Sequence, residues 1–459
     1  MRNRKTTLIG AVAMGILLLG ACAQGTDGGD AEFGGDLEAA ELTLMGFSDP
    51  DEIGQTRWDI ADAAIYPAHV RPSEGGFDIQ AFLAANSAGN PPDLIYFNRG
   101  DFIGTLASLG AIMPLDACIA AEGINLDDFN QAALAQVTFN EQIFGVPEFN
   151  QVQLTMANGD LLAAAGLTLN DVNGSDWERM TVANEALHVV EGGRLAVIGI
   201  DSRIPEHFPL WVVSNGGQLV SDDGRTAMID TPEVLEALEF ALSLMDGNNG
   251  FADVMSLRDA ADFWGEGNQF ATNAMGAFTM EQWYMNVLMG ATPDIPLAVS
   301  PFMSRQTGQP IAFSTGSSWA IPVGAENPAA ACRFIANMVE VDSWMAAAQV
   351  RADRIAGEGG VFTGLLTANT TADRAIRDAF IVPSGSAVWD SAIAAMYTAA
   401  DHHFFMPPLP ADQEFRQAWV DSVNRVLQGT MTARDSLAQG QAEAQRALDE
   451  GWARMEDRD

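Results

Sequence analysis

Short apolar runs of β type alternate with helical spacings along most of the chain. Leu42-Thr43-Leu44-Met45, Leu94-Ile95-Tyr96-Phe97, Leu195 to Ile200, Ala274 to Phe278 and Ile295 to Val299 predict strands. Between them, Thr231-Pro232 is a helix start signal, and Val234, Leu235, Leu238, Phe240, Ala241 and Leu242 then form the buried face of a helix running to Met245. Asn327-Pro328 opens a second helix through Val339. Near the end, Phe415, Trp419, Val423 and Val426 recur at i, i+4, i+8 and i+11, a stripe read as core and not as a site. Strands alternating with helices over more than 400 residues predict an α/β architecture with mainly parallel sheets, divided into two lobes.

The amino terminus has a different pattern. Arg2, Arg4 and Lys5 precede an apolar run from Leu8 to Leu19, the layout of a secretory signal and too short to span a bilayer stably. The run ends in Leu19-Gly20-Ala21-Cys22, which resembles the lipobox of bacterial lipoproteins. By that resemblance residues 1–21 are removed and Cys22 is the lipidated first residue, anchored to the outer face of the cell membrane. Residues 22–37, rich in Gly and Asp, read as a flexible tether. No later stretch reaches 18 apolar residues without charge, so the remainder is expected to be soluble.

Charge removes whole function classes. The 459 residues hold 23 Lys plus Arg against 61 Asp plus Glu, a formal net charge of −38. Phosphate-backbone affinity comes from many cationic contacts, so nucleic acid is excluded as a main partner. The sole lysine is Lys5, inside the signal, so the folded part has no P-loop, Schiff-base or catalytic lysine. No His-Glu-x-x-His, Gly-x-Ser-x-Gly or Cys-x-x-Cys occurs either. The adjacent pair His402-His403 lacks a spaced acidic partner and reads as a surface or packing pair. No metal or other cofactor is expected. Cys118 and Cys332 remain open between a disulfide, which export permits, and two buried thiols.

Polar and aromatic residues do collect at strand-to-loop transitions, where ligand crevices of α/β sheets form. Phe47 and Asp49 follow the first strand; Asn98, Arg99 and Asp101 follow the second; Glu148 and Asn150 follow the Phe144-Gly145-Val146-Pro147 turn. Trp211, Asn215, Glu281 and Trp283 occupy similar edges in the second half, and Ser317 lies in a Ser-rich segment. An indole face suits the C–H groups of a pyranose, and its hydroxyl rim needs Asp, Glu, Asn, Gln or Arg. Trp58, Trp177, Trp344 and Trp389 read equally well as packing residues.

At these residues the chain resembles the extracellular solute-binding proteins of ABC importers, specifically their carbohydrate-binding family 1. The carriers are Pro92-Asp93 before a strand, Phe144-Gly145-Val146-Pro147, Asn215-Gly216-Gly217, Asp230-Thr231-Pro232-Glu233, Asn268 to Gly276 leading to Trp283, Gly316 to Ile321 with Asn327-Pro328, and the closing helix before Gly429. Each is degenerate, while their order and spacing are specific and run over nearly the whole mature chain. The resemblance implies a two-lobed periplasmic-binding-protein-like (class II) fold with hinge strands and an inter-lobe cleft. Lobe one takes residues 38–149 plus 305–350, and lobe two 150–304 plus 351–459. It further implies a monomer that captures a sugar or oligosaccharide and delivers it to a membrane permease, without enzymatic turnover. One departure stands out: Glu281-Gln282-Trp283 replaces the family's frequent Gly-Pro-Trp, so only the tryptophan carries over as a stacking residue. Two alternatives stay open, a secreted carbohydrate-active enzyme with a carboxylate pair and a binder of another solute. The acids Asp49, Asp101, Glu148 and Glu281 suit a peptide or cation, and Arg99 an anion.

Overall fold

The computed structural model describes residues 32–99 and 101–456. The signal segment, Cys22 and most of the tether lie outside the described residues. Among the described residues twelve strands occur in chain order: β1 Glu41–Met45, β2 His69–Arg71, β3 Leu94–Phe97, β4 Thr138–Phe139, β5 Gln142–Ile143, β6 Val146–Asn158, β7 Val189–Glu191, β8 Arg194–Asp201, β9 Met275–Glu281, β10 Leu297–Met303, β11 Pro310–Ala320 and β12 His403–Phe404. All five strands predicted from apolar runs are among them. The expected helices are Pro232–Asp246, Pro328–Val339 and Asp412–Leu427.

Two strands make the architecture. β6 pairs with β11 through its first half and with β9 and β10 through its second. β11 starts against β10 and ends against β3. Each therefore crosses from one lobe to the other. The first-lobe sheet runs β2-β1-β3-β11-β6, and the second adds β10-β6-β9-β8-β7. β1–β2, β1–β3 and β8–β9 are parallel, but every pair made by β6 is antiparallel. The sheet is thus mixed and not mainly parallel, because the crossing strands run against their neighbours in both lobes.

β3 is buried at all four positions, since helices cover both faces of its sheet. Its core contains Leu42, Trp58, Tyr96, Trp319 and Phe334. Gly46, at the end of β1, has φ +125°, and a Cβ there would lie 2.2 Å from the Tyr96 carbonyl oxygen, so no other residue fits. The Glu52–Ala64 helix begins at Asp51, whose carboxylate accepts the N–H groups of Ile53 and Gly54 at 3.0 Å. Asp93 of the Pro-Asp motif binds the strand and a distant helix start at once, accepting Thr43 N–H at 2.8 Å and Asn327 N–H at 2.9 Å. The Val341–Glu358 helix packs on the Glu52–Ala64 helix, and Thr370–Phe380 packs in turn on Val341–Glu358, in a cluster that includes Ile53, Trp344, Ala347 and Ile376.

The second lobe is built around Trp211, Phe208, Val234 and Leu238 on one face of its sheet and Ile198, Phe278, Tyr284 and Trp389 on the other. The carboxy-terminal helices Asp412–Leu427 and Ala433–Glu456 touch both lobes: Phe415 and Trp419 enter the second core, while Trp452 stacks on Phe139 of the first. Cys118 and Cys332 are joined in a disulfide between the Asp116–Glu122 and Pro328–Val339 helices, with 5.7 Å between their Cα atoms, which decides the alternative left open above. Among the described residues no helix is long and apolar enough to cross a membrane.

Candidate functional site

A cavity of about 560 Å³ opens between the lobes. The crossing strands form its floor, with Gln151 and Gln153 from β6 and Phe313, Ser314 and Thr315 from β11. The first lobe contributes Asn98, Arg99 and Asp101 from the loop after β3, and Gln136. The second contributes Arg203, Glu206 and His207 after β8, Glu281 at the end of β9, Trp283, and Phe263. A roof segment, Met406-Pro407-Pro408-Leu409, continues into Asp412, Arg416 and Trp419. Carboxyl ends of parallel strands thus meet at the cleft from both lobes.

Of the twelve candidates read from sequence, Asn98, Arg99, Asp101, Glu281 and Trp283 come together here. The others lie elsewhere. Phe47 is packed in the first core against Trp58, Tyr96 and Trp319, because the Gly46 turn sends its ring inward. Asp49 is exposed beside the start of the Glu52–Ala64 helix. Glu148 is fully buried against Arg57, and Ser317 donates to it. Asn150 lies behind the floor, bonded to His403 and Ser314. Trp211 is wholly buried, donating to the Ser202 carbonyl at 2.8 Å. Asn215 is tied to the Glu233 carbonyl, Glu236 and Arg305. Trp58, Trp177, Trp344 and Trp389 are buried packing residues.

Most of the floor, and Arg203, Glu206, His207 and Phe263 of the second-lobe wall, were not among the sequence candidates. Arg203 obeys the rule that pointed to Arg99, being just past a strand that ends in Asp201. The Asp201 carboxylate accepts Arg203 N–H at 2.9 Å and holds that residue at φ +54°. Asp201 is itself buried and ion-paired with Arg258. Gln151 belongs to the segment read as following the Phe144-Gly145-Val146-Pro147 turn, whereas Gln153 carried no loop signal because it lies inside the continuous strand β6.

Three polar atoms on the cavity wall are buried without a partner: Gln153 Oε1, Arg203 Nε and Asp101 Oδ1. Each such orphan costs about 1–3 kcal/mol until something bonds it. Most cleft acids are engaged. Asp101 Oδ2 lies 3.2 Å from Arg416 Nε. Asp412 accepts the N–H groups of Leu409, Gly104 and Thr105 at 2.6, 2.8 and 3.2 Å; burial pushes its carboxyl well up, and those bonds oppose the shift. The Asp412 contact requires Gly104, where a Cβ would lie 2.2 Å from the Leu409 carbonyl oxygen. Burial acts to raise Glu281, but His207, with Nε2 3.2 Å away, together with a backbone hydrogen bond and the Arg203 charge, outweighs it and holds the acid at about 2. His207 is itself fixed through Nδ1, 2.6 Å from Thr279 Oγ1.

Aromatic surface completes the site. Trp283 is half-buried and stacks on the exposed Trp264 with centroids 5.5 Å apart and planes 18° apart. Phe263, which lines the cavity, stacks on Tyr284 at 4.3 Å and meets Trp283 edge-on. Among the described residues no group of three or more His, Cys, Asp or Glu is arranged to hold a metal ion.

A family model described as bacterial extracellular solute-binding protein matches residues 69–372. The chain belongs to that family. Solved structures with the same fold include CpMnBP1 with mannobiose bound, at 20% identity and TM-score 0.70, covering 89% of this chain and 100% of that one. The substrate-binding protein Lmo0181 from Listeria monocytogenes in complex with cycloalternan is similar at 16% identity and TM-score 0.71, covering 90% and 100%. The MalE domain from Bdellovibrio bacteriovorus bound to maltotriose is similar at 14% identity and TM-score 0.66, covering 89% and 100%. A comparison with curated proteins finds no match. Membership of an extracellular family makes this an exported protein.

Proposed function

We propose that this chain captures a sugar or oligosaccharide in the inter-lobe cleft and delivers it to the permease of an ABC importer. The observation that carries the reading is the cleft wall. Its buried, unpartnered amide, guanidinium and carboxylate atoms lie beside an aromatic surface, and a polyhydroxylated ring supplies both the missing partners and a C–H face. The saccharides named in the solved relatives support the same class. The cleft size falls within the range of small-molecule sites.

A ligand contacting both lobes binds the closed arrangement preferentially and shifts the population toward it. The lobes divide at the crossing strands: residues 38–149 with about 305–380 on one side, and the rest on the other. A first-lobe return running past residue 350 is supported by Val341–Glu358, which packs on Glu52–Ala64, and by Thr370–Phe380, which packs on Val341–Glu358. The binder acts as a monomer without turnover. A glycosidase needs a protonated acid beside the bond, whereas Glu281 is held ionised and both Asp412 oxygens are occupied.

Anchoring rests on Leu19-Gly20-Ala21-Cys22. Cys22→Ser should move the protein out of the membrane fraction, leaving it soluble or unprocessed, without changing the ligand affinity of the purified domain. Wild-type fractionation of this variant would remove the lipid anchor from the account. For the ligand class, a thermal-shift screen of oligosaccharides beside amino acids, peptides and polyamines is the test. Stabilisation is about 2.7 kcal/mol at a hundredfold excess over Kd. Saccharide hits alone support the reading, and a screen answered only by the other classes overturns it.

A further inference from the structure

The cleft has a charge asymmetry that a neutral sugar does not explain. Three of its four carboxylates are already committed: Asp101 to Arg416, Glu281 to His207, and Asp412 to three backbone N–H groups. Glu206, the fourth, is exposed. Two cleft arginines lack a direct ion-pair partner, although the Arg203 charge reaches Glu281 and Asp201 from further off. Arg99 and Arg203 make no ion pair within 4 Å among the described residues, although they come from opposite lobes and line one cavity. In a chain with 61 acidic and 23 basic side chains, acids to neutralise them are abundant, so leaving two guanidinium groups open runs against composition.

Arg203 shows this most directly. Its Nε is buried with no acceptor. The nearby Asp201 feels the Arg203 charge, but its side chain pairs with Arg258 and takes from Arg203 only the backbone N–H. That backbone bond holds Arg203 in the left-handed region, a conformation that costs energy in a non-glycine residue and is kept where the surroundings enforce it. On the other wall, Arg99 is close enough to Arg416 for the two charges to repel, a repulsion an anion between the lobes relieves.

We propose that the saccharide taken by this cleft carries a carboxylate, as a uronic acid does, with Arg203 of one lobe and Arg99 of the other receiving the acid group. The proposal rests on the sugar reading and narrows it. A guanidinium presents a planar fork matching the two oxygens of a carboxylate, and such charge-assisted pairs are stronger than bonds to neutral hydroxyls. The hydroxyl groups are left to Gln151, Gln153 and Asn98, and a ring face to the aromatic wall.

The test is calorimetric titration of the mature protein with matched acidic and neutral disaccharides: α-1,4-digalacturonate with α-1,4-galactobiose, β-1,4-dimannuronate with β-1,4-mannobiose, and cellobiouronate with cellobiose. At least one acid should bind tenfold or more tighter than its neutral partner. Its affinity should fall as salt is raised from 50 to 300 mM. Arg203→Gln and Arg99→Gln should each bring the acid-to-neutral ratio down toward one, with Arg203→Lys intermediate because it keeps the charge and loses the fork. Neutral partners binding as tightly as the acids, or a preference that survives both Gln variants, overturns this proposal and leaves the sugar reading intact. Failure of every disaccharide to bind, acidic or neutral, removes the sugar reading and this proposal together.

Discussion

Arg57 Nη1 lies 2.6 Å from Glu148 Oε1, with neither side chain exposed to solvent, and the pair ties the Glu52–Ala64 helix to the crossing strand β6. The arrangement is closed on several sides. The guanidinium is 3.7 Å from the centroid of Trp344 and donates to the Met338 carbonyl at 2.9 Å, while Ser317 Oγ donates to Glu148 Oε2 at 3.2 Å. Ser317 belongs to β11, so both crossing strands are fastened to the first lobe at one buried charge pair.

Removing one partner leaves an uncompensated charge in the core. Glu148→Gln is expected to lower unfolding stability by about 3–5 kcal/mol, read as a lower denaturant midpoint with an unchanged m-value. A loss below about 1 kcal/mol would show that the pair is not desolvated as described.

The disulfide closes a long loop, since Cys118 and Cys332 are 214 residues apart in sequence. On the chain-entropy account a loop of this length stabilises by about 5 kcal/mol. The paired Cys118→Ala and Cys332→Ala variant should therefore melt well below the wild type. Thiol titration of the denatured, unreduced wild-type domain should find neither cysteine free. Two reactive thiols in that assay contradict the pairing.

His403 binds Asn150 of β6 through Nδ1 and Asn130 of the first lobe through Nε2, both at 2.8 Å. Burial pushes this imidazole down to about 4, below its ordinary 6.5. A depressed folded-state value contributes stability that is present above 6.5 and lost as pH falls toward 4. Wild-type urea midpoints should drop between pH 7 and 4.5, and His403→Gln should drop less across the same interval. Parallel profiles for the two proteins rule out this histidine as the source.

The fold was legible where local pattern and tertiary demand agree. The run 94–97 is a fully buried strand and 42–45 and 195–200 are partly buried ones, so their apolar character survives in the sequence, and Thr231-Pro232 caps its helix as its chemistry predicts. The long strands β6 and β11 were opaque. β6 buries Glu148, Asn150, Gln153 and Thr155, and β11 reads Ser-Thr-Gly-Ser-Ser through its middle, because a strand crossing between lobes packs against polar neighbours and forms the cleft floor.

For the site, position after a strand was a useful signal but an incomplete one. It found Arg99 and Asp101, yet it pointed equally to Phe47, which the Gly46 turn directs into the core. What separates the two outcomes is the path of the backbone after the strand. The Met406 to Leu409 roof carried no signal, since it comes from a loop distant in sequence that is delivered to the cleft by the last two helices.

The most direct test concerns Trp283, taking as ligand the saccharide that stabilises the wild type most in the thermal-shift screen. Its affinity for Trp283→Ala should fall by about 1–3 kcal/mol, or roughly 5- to 150-fold in Kd, by analogy with other aromatic stacking platforms. The ligand-free melting temperature should fall only modestly, because the side chain is half-buried at the edge of the second-lobe core and stacks on the exposed Trp264. Unchanged affinity in a variant that remains folded would contradict a sugar seated against this wall of the cleft.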